Sequence, residues 1–346
     1  MGAWTDITWQ HIEQVRGALE AGADVNVVVD ESQVTPLFRA LQEGTPEVVE
    51  LLLVHGADVE ATIPPGWTPL WAAVRGVQIM AVDRPQWRRE KVRLLLASGA
   101  DPWRPTMGGR SPGEVALWGP LADLFVDLRG APQIPAADRQ RQADADALIA
   151  GYGWADQWGV GGGSIAFVKG VPADEVIGRL GGDPAACPLV DAAGFGELVL
   201  RHLVDAAVPW VVEPVWVAEV AGGTVAWQEV SWLLVREEIT APLSRGGLLA
   251  STFAGGDGTI TVHVFRDGEF LRRTEPIYDP GFVGGGWGVA LEEERWCRFG
   301  DLDAPAGSMA QCLALMTMLT GIQVSEAWLR DEPKQVVLVA PPAPTT

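Results

Sequence analysis

Thr35-Pro36-Leu37-Phe38-Arg39-Ala40 and Thr68-Pro69-Leu70-Trp71-Ala72-Ala73 are two copies of one motif, 33 residues apart. Each is followed by a run that closes on Gly-Ala-Asp, at Gly56-Ala57-Asp58 and Gly99-Ala100-Asp101, and an earlier partial copy closes on Gly22-Ala23-Asp24. The threonines suit a helix cap, and the prolines then fall at the first helical position, where no backbone donor is missed. Leu37 with Ala40, and Leu70 with Ala73, form one apolar stripe. Counted back from each closing glycine, apolar residues recur at minus seven, minus four and minus three: Val15, Ala18 and Leu19; Val49, Leu52 and Leu53; Val92, Leu95 and Leu96. That is helical spacing for a buried face. The closing glycines suit the left-handed residue that ends such a helix. One copy cannot bury its face alone, so the copies are expected to stack.

Period and motif together resemble the ankyrin repeat. The resemblance covers about residues 5–128, as an N-terminal cap, two good copies and a worn copy starting at Ser111-Pro112-Gly113. The family usually has His after Thr-Pro-Leu. Phe38 and Trp71 stand there, so its inter-repeat histidine hydrogen bonds are not expected. The resemblance implies an all-α solenoid that binds a protein partner through its hairpin tips and the concave face of its first helices. The contact candidates are Phe38, Trp67, Trp71, Arg75 and Trp103, since Trp and Arg most often anchor interfaces. Some of the same rings equally suit packing between repeats or against the second domain.

The chain has 346 residues and a formal net charge of −20. Residues 1–130 hold 11 Lys/Arg against 17 Asp/Glu, and residues 131–346 hold 14 against 28. Both parts are acidic, which argues against nucleic-acid binding through a basic face. Such a charge favours solubility and can steer a basic partner. Three cysteines, Cys187, Cys297 and Cys312, form no disulfide framework and suit a reducing compartment. Residues 1–10 show no signal segment and no apolar run reaches membrane length, so a cytoplasmic location is expected. The excess of Arg over Lys, with much Ala, Gly, Pro and Val, is the composition of a GC-rich bacterial genome.

The expected organisation is an ankyrin-repeat domain over 1–130, a linker over 131–146, an α+β domain with a mainly antiparallel sheet over 147–340, and a loose tail from 341. Ten residues are inserted around Gly76 to Gln86, next to the basic stretch Arg84 to Arg89; a helix extension with solvated arginines is the ordinary reading. In the second part, 164–168 reads as a strand and 172–181 as a helix with proline at its start and glycine at its end. Residues 210–220 and 224–237 read as a hairpin turning at Gly222-Gly223. Residues 248–253 and 259–265 form another pair, the turn at 266–269 leads into a further strand, 309–320 is an apolar helix and 336–339 a last strand. Consecutive hairpins imply an antiparallel sheet with helices packed on it. Trp154, Phe167-Val168-Lys169-Gly170, Arg179-Leu180-Gly181-Gly182-Asp183-Pro184 and Leu243-Ser244-Arg245-Gly246-Gly247 resemble an uncharacterised domain of soil bacteria, to which no activity attaches.

Chemistry is sparse. Gly159 to Ser164 fails as a phosphate loop, because Ser164 stands where a third glycine is needed and a strand follows. His202 and His263 have no metal partner at zinc-site spacing. Glu237-Glu238 and Glu292 to Glu294 read as solvated carboxylates. Ser244 to Gly247 suits either a capped surface turn or an anion-binding one. Trp210 and Trp216 share one strand face, and Trp227 and Trp232 are placed on the next strand; core packing is the ordinary reading. No catalytic residue, metal or cofactor is assigned. Two functions remain: an adaptor or inhibitor whose repeats grip a protein, basic in the electrostatic variant; or an enzyme of unknown reaction, in which His202 or His263 meets a Ser, Cys, Asp or Glu.

Overall fold

The computed structural model describes residues 3–29, 34–63, 66–75, 85–106, 110–161, 163–191, 194, 213–229, 231–255, 260–274, 287–299 and 307–339. The chain divides into two compact units, one within Met1–Arg139 and one from Gln140 onward.

The first unit is helical. Its helices are α1 (Ile12–Glu20), α2 (Pro36–Glu43), α3 (Pro46–Val54), α4 (Pro69–Arg75), α5 (Pro85–Ala97) and α6 (Pro112–Ala116). The expected apolar faces are buried: Val15, Val49, Leu52, Val92 and Leu95 have no exposed surface. They share one core with Leu37, Leu70, Trp71 and Phe125.

The closing motif explains itself. Gly22, Gly56 and Gly99 take φ of 84°, 86° and 92°. The alanine after each glycine then donates back across the last turn, to Ala18, Leu52 and Leu95, at 3.0, 3.0 and 3.1 Å. The aspartate after that accepts from the backbone two residues on. Asp24, Asp58 and Asp101 each do so at 2.9 Å, to Asn26, Glu60 and Trp103. Gly supplies the left-handed turn and Asp holds the chain that leaves it.

The starts differ between copies. Thr68 Oγ1 accepts from the Trp71 backbone at 3.2 Å, as a cap should. Thr35 makes no such bond, and its buried hydroxyl has no partner among the described residues. The worn copy is well capped: Ser111 and Glu114 satisfy each other's backbone donors at the start of α6. Two buried cations on α5 close the ends of first helices, with Lys91 donating to the Leu41 carbonyl at 2.8 Å and Arg88 to that of Val74. Cations at helix C-termini answer both the orphan carbonyls and the helix dipole. Most of the inserted segment lies outside the described residues.

The second unit is built on one nine-strand sheet in the order β2-β9-β3-β4-β1-β5-β6-β7-β8. The strands are β1 (Gly163–Lys169), β2 (Leu189–Val190), β3 (Glu213–Val220), β4 (Gly223–Gln228), β5 (Leu248–Ala254), β6 (Ile260–Arg266), β7 (Glu269–Thr274), β8 (Trp287–Gly288) and β9 (Lys334–Val339). Every pairing is antiparallel. The helices are α7 (Ala136–Gly151), α8 (Ala173–Arg179), α9 (Glu237–Leu243), α10 (Ser308–Thr320) and α11 (Glu326–Asp331).

The sheet is covered on both faces. Ile165, Phe167, Trp216, Trp227 and Val336 pack with α7, α10 and α11. The alternate residues Ala166, Val168, Val215, Val217 and Val337 pack with α8 and the turn at Leu233 and Leu234. Central strands buried on both faces read as continuous apolar runs, which is how Ile165 to Val168 reads. Trp216 and Trp227 are directly paired across β3 and β4 and stack at 5.6 Å, as core.

The end of the segment read as a linker is helical from Ala136, as the start of α7. Two expectations are corrected. The strand expected to run to 237 ends at Gln228. Ser231 donates to Glu213, and the Leu233 and Leu234 amides turn onto Ser231 Oγ and Ser164 Oγ, so a 3₁₀ turn replaces the ladder. Trp232, expected on that strand, is 60% exposed at this turn. Trp210 and residues 341–346 lie outside the described residues.

Asp156 caps α10 from another element. Its two carboxylate oxygens accept from the Gly307 and Ala310 amides at 2.6 and 3.1 Å. Arg272 and Glu294 form a fully buried bidentate pair at 2.7 and 2.9 Å. Glu294 also accepts from the Leu291 amide at 3.2 Å. The pair is tolerated because each charge meets its complement in the low-dielectric interior.

Candidate functional site

In the repeat unit the tips of the stack are joined by polar contacts. Asn26 donates to the Gly56 carbonyl at 3.0 Å and accepts from the Asp58 amide at 2.7 Å. Glu60 accepts from the Asp101 amide at 2.7 Å and pairs with Arg104 at 2.8 Å. These ties fix the spacing of successive tips. Val27 and Val28 are exposed beside them, as are Thr62, Arg104 and Pro105.

The five contact candidates fall into two groups. Phe38 and Trp71 have no exposed surface. Phe38, at the position after Thr-Pro-Leu, packs with Val34, Ile63 and Ala72. Arg75 is 3% exposed, with its guanidinium 6.0 Å from the Trp71 ring. A fully buried ring presents no atoms to a partner, so Phe38 and Trp71 are core residues in this fold and not exposed contacts. Trp67 and Trp103 are half-buried. Trp67 closes a tight turn by pairing its backbone with Ile63 at 3.0 and 3.1 Å. Trp103 donates its indole N–H to the Arg129 carbonyl at 2.9 Å and meets Phe125 edge-on. Val27 and Val28 carried no motif, so no sequence signal singled them out; only their exposure at a tip does.

In the sheet unit, the turn at Ser244 to Gly247 already holds an anion of its own. Asp267 accepts from the Gly246 amide at 2.8 Å, and Ser244 Oγ accepts from the Gly268 amide at 2.9 Å. The anion-binding reading of that turn is corrected accordingly. Glu294 is buried against Arg272, while Glu292 pairs with Arg141 at the surface. Glu237 and Glu238 sit in the first turn of α9, where the helix dipole favours them.

His263 lies on β6, directly opposite Ser251 on β5 and Arg273 on β7. Burial, and then the Arg273 charge, push its pKa down to about 4, so the ring is neutral at physiological pH. Ser251 has no exposed surface, and its hydroxyl has no partner among the described residues. His202 lies outside the described residues. Cys297 and Cys312 are buried, and burial pushes both thiols well above the ordinary cysteine range. They are poor nucleophiles. Among the described residues no cluster of His, Cys, Asp and Glu could hold a metal ion. No described helix is long and apolar enough to cross a membrane.

Fold and surface define a repeat protein carrying a separate sheet domain. Residues 7–106 match ankyrin repeats, in three copies. Residues 145–343, more than half of the chain, match the Family of unknown function (DUF6461), and the chain belongs to that family. Curated relatives resemble the repeat region. Ankyrin repeat and SOCS box protein 16 of Mus musculus is 44% identical over 99 residues, 28% of this chain and 21% of that protein. The 2-5A-dependent ribonuclease of Mus musculus is 37% identical over 101 residues, 29% and 12% of the two chains. B-cell lymphoma 3 protein homolog of Mus musculus is 32% identical over 135 residues, 39% and 27% of the two chains. The match thus spans about a quarter or less of each relative's own length.

Proposed function

We propose that the protein is a cytoplasmic adaptor or inhibitor in which the repeats, residues 1–130, grip a protein partner, while the acidic domain, residues 147–340, is its effector or a second binding surface. The observation that carries this reading is the repeat stack itself, with tips held at fixed spacing and apolar and charged groups exposed on them. Stacks of this kind generally bind proteins. The contact set is Trp67 and Trp103 with Val27, Val28 and Arg104. Phe38, Trp71 and Arg75 shape the surface from beneath. The net charge of −20 favours a basic partner. On the second domain, Trp232 is exposed beside Arg236 at 5.8 Å and suits a second contact.

The test compares the full chain with a tip variant carrying Val27→Glu, Val28→Glu and Arg104→Glu, each used as bait in a native lysate. A protein retained by the wild type and lost from an equally stable variant is the expected result. Equal retention by both would move the contact away from the tips. Retention of no protein would remove the adaptor reading's main support and favour an enzyme in the second domain.

A further inference from the structure

One end of the sheet gathers cations on an acidic chain. Lys169 ends β1 directly opposite Leu248, and Leu248 is directly opposite Arg266 at the end of β6. Paired residues of an antiparallel ladder share a face, with Cβ atoms about 4.5–5.5 Å apart. Lys169 and Arg266 therefore flank the half-buried Leu248 on one face, about 10 Å apart. The turn at Ser244 to Gly247 packs on the end of β1: a Cβ on Gly247 would fall 2.1 Å from the Lys169 carbonyl oxygen. From that turn Arg245 runs along Gly268, between β6 and β7, with its Cγ and Nε 3.5 and 3.8 Å from where a Cβ would stand. Lys169, Arg245 and Arg266 are all exposed.

Every other described Lys or Arg from Gln140 onward makes an ion pair, a hydrogen bond or a ring contact. Among the described residues the side chains of these three make none, although the chain holds 45 Asp and Glu against 25 Lys and Arg. Glu269 is directly opposite Arg266 yet forms no ion pair with it, and Asp267 is taken by the Gly246 amide at 2.8 Å. The segments that meet here, 163–191, 231–255 and 260–274, lie wholly within the described residues. Like charges gathered without counter-charges repel one another, so the fold gains nothing from this arrangement.

We propose that this end of the sheet docks a short carboxylate-rich segment of a partner protein, with carboxylates on Lys169, Arg245 and Arg266 and an apolar residue on Leu248. Arg offers a planar fork that matches a carboxylate, and Lys a mobile point charge. Exposed arms suit a segment lying across them better than a small ligand, whose sites are concave. The field of a −20 chain opposes an extended polyanion such as nucleic acid, whereas at about 0.1 M salt a short segment feels mainly the charges within about 10 Å. The surface belongs to the sheet unit alone, so it goes beyond the repeat-binding reading and stands whether or not the repeats bind a protein.

The test titrates the full chain, at about 0.1 M salt, into a short fluorescein-labelled peptide of Glu and Leu, followed by anisotropy. Two companion peptides carry Gln or phosphoserine in place of Glu. The Glu peptide should saturate with a Kd below about 100 µM, and the Gln peptide should bind about tenfold or more weakly. Combining Lys169→Glu, Arg245→Glu and Arg266→Glu should weaken the Glu peptide by about tenfold or more. A control of equal charge, combining Arg93→Glu, Arg129→Glu and Arg139→Glu at exposed sites outside the sheet unit, should weaken it by less than about threefold. Melting curves establish that each variant is folded. The proposal is overturned if the Glu peptide does not saturate below about 1 mM, if the folded sheet variant binds like the wild type, or if the control weakens binding as much. Saturation by the phosphoserine peptide alone would make the surface a phosphate reader, and a wild-type dimer that the sheet variant dissolves would assign it to a second copy; either result also overturns the proposal.

Discussion

His263 shows how one residue's surroundings set its chemistry. Its pKa falls from the ordinary value of 6.5 to about 4, chiefly through burial and then through Arg273. Between those values the unfolded chain binds a proton that the folded chain refuses. Stability from this site is therefore present above pH 6.5 and is lost as pH falls toward 4. The loss is of order 1–2 kcal/mol once solvent screening is allowed for. His263→Gln should flatten the fall in melting temperature over that window relative to wild type; identical slopes would mean that the ring is protonated in the fold. Little of this was legible beforehand. The alternation of Val262, His263 and Val264 placed His263 on one strand face, yet Ser251 and Arg273 became its neighbours only through register. Phe38 and Trp71 show the converse. Their residue types suit an interface as well as they suit a core, and only burial decides between the two.

At the scale of elements, most helices carry their own instructions. The Gly-Ala-Asp motif closes α1, α3 and α5 by the same left-handed glycine and the same two contacts, and α6 makes its own capping box. Helix α10 differs. Its sequence opens on Gly307-Ser308 with no local side-chain cap, and the cap arrives from Asp156, which lies 151 residues earlier. Asp156→Ala should lower stability by about 1–2 kcal/mol, because two backbone donors lose their acceptor. Chemical denaturation at pH 7 measures it, and no change would mean that water replaces the cap at no cost. The strand expected to reach 237 failed for a related reason. Trp232 to Val235 is apolar enough for a strand, but Ser231, Glu213 and Ser164 hold those amides in a turn.

At the scale of the molecule, charge is the long-range property. A partner captured by the field of a −20 chain should associate about tenfold or more slowly at high salt than at low salt, while its dissociation changes less. Association rates for a captured partner, measured across ionic strength, check this. A flat profile would leave the adaptor reading intact and remove its electrostatic variant.

What the sequence determined by itself is the local and the repetitive. The 33-residue period, the prolines at helix starts, the glycines at their ends and most of the hairpins follow from backbone preferences and from apolar spacing along a few turns. Tertiary structure alone decided the order of the nine strands, the second covered face of the sheet, the Asp156 cap, the Arg272–Glu294 pair and the cations gathered around Leu248. Each depends on residues distant in the chain, brought together by packing and register, and composition or local periodicity carries no record of which distant residues meet.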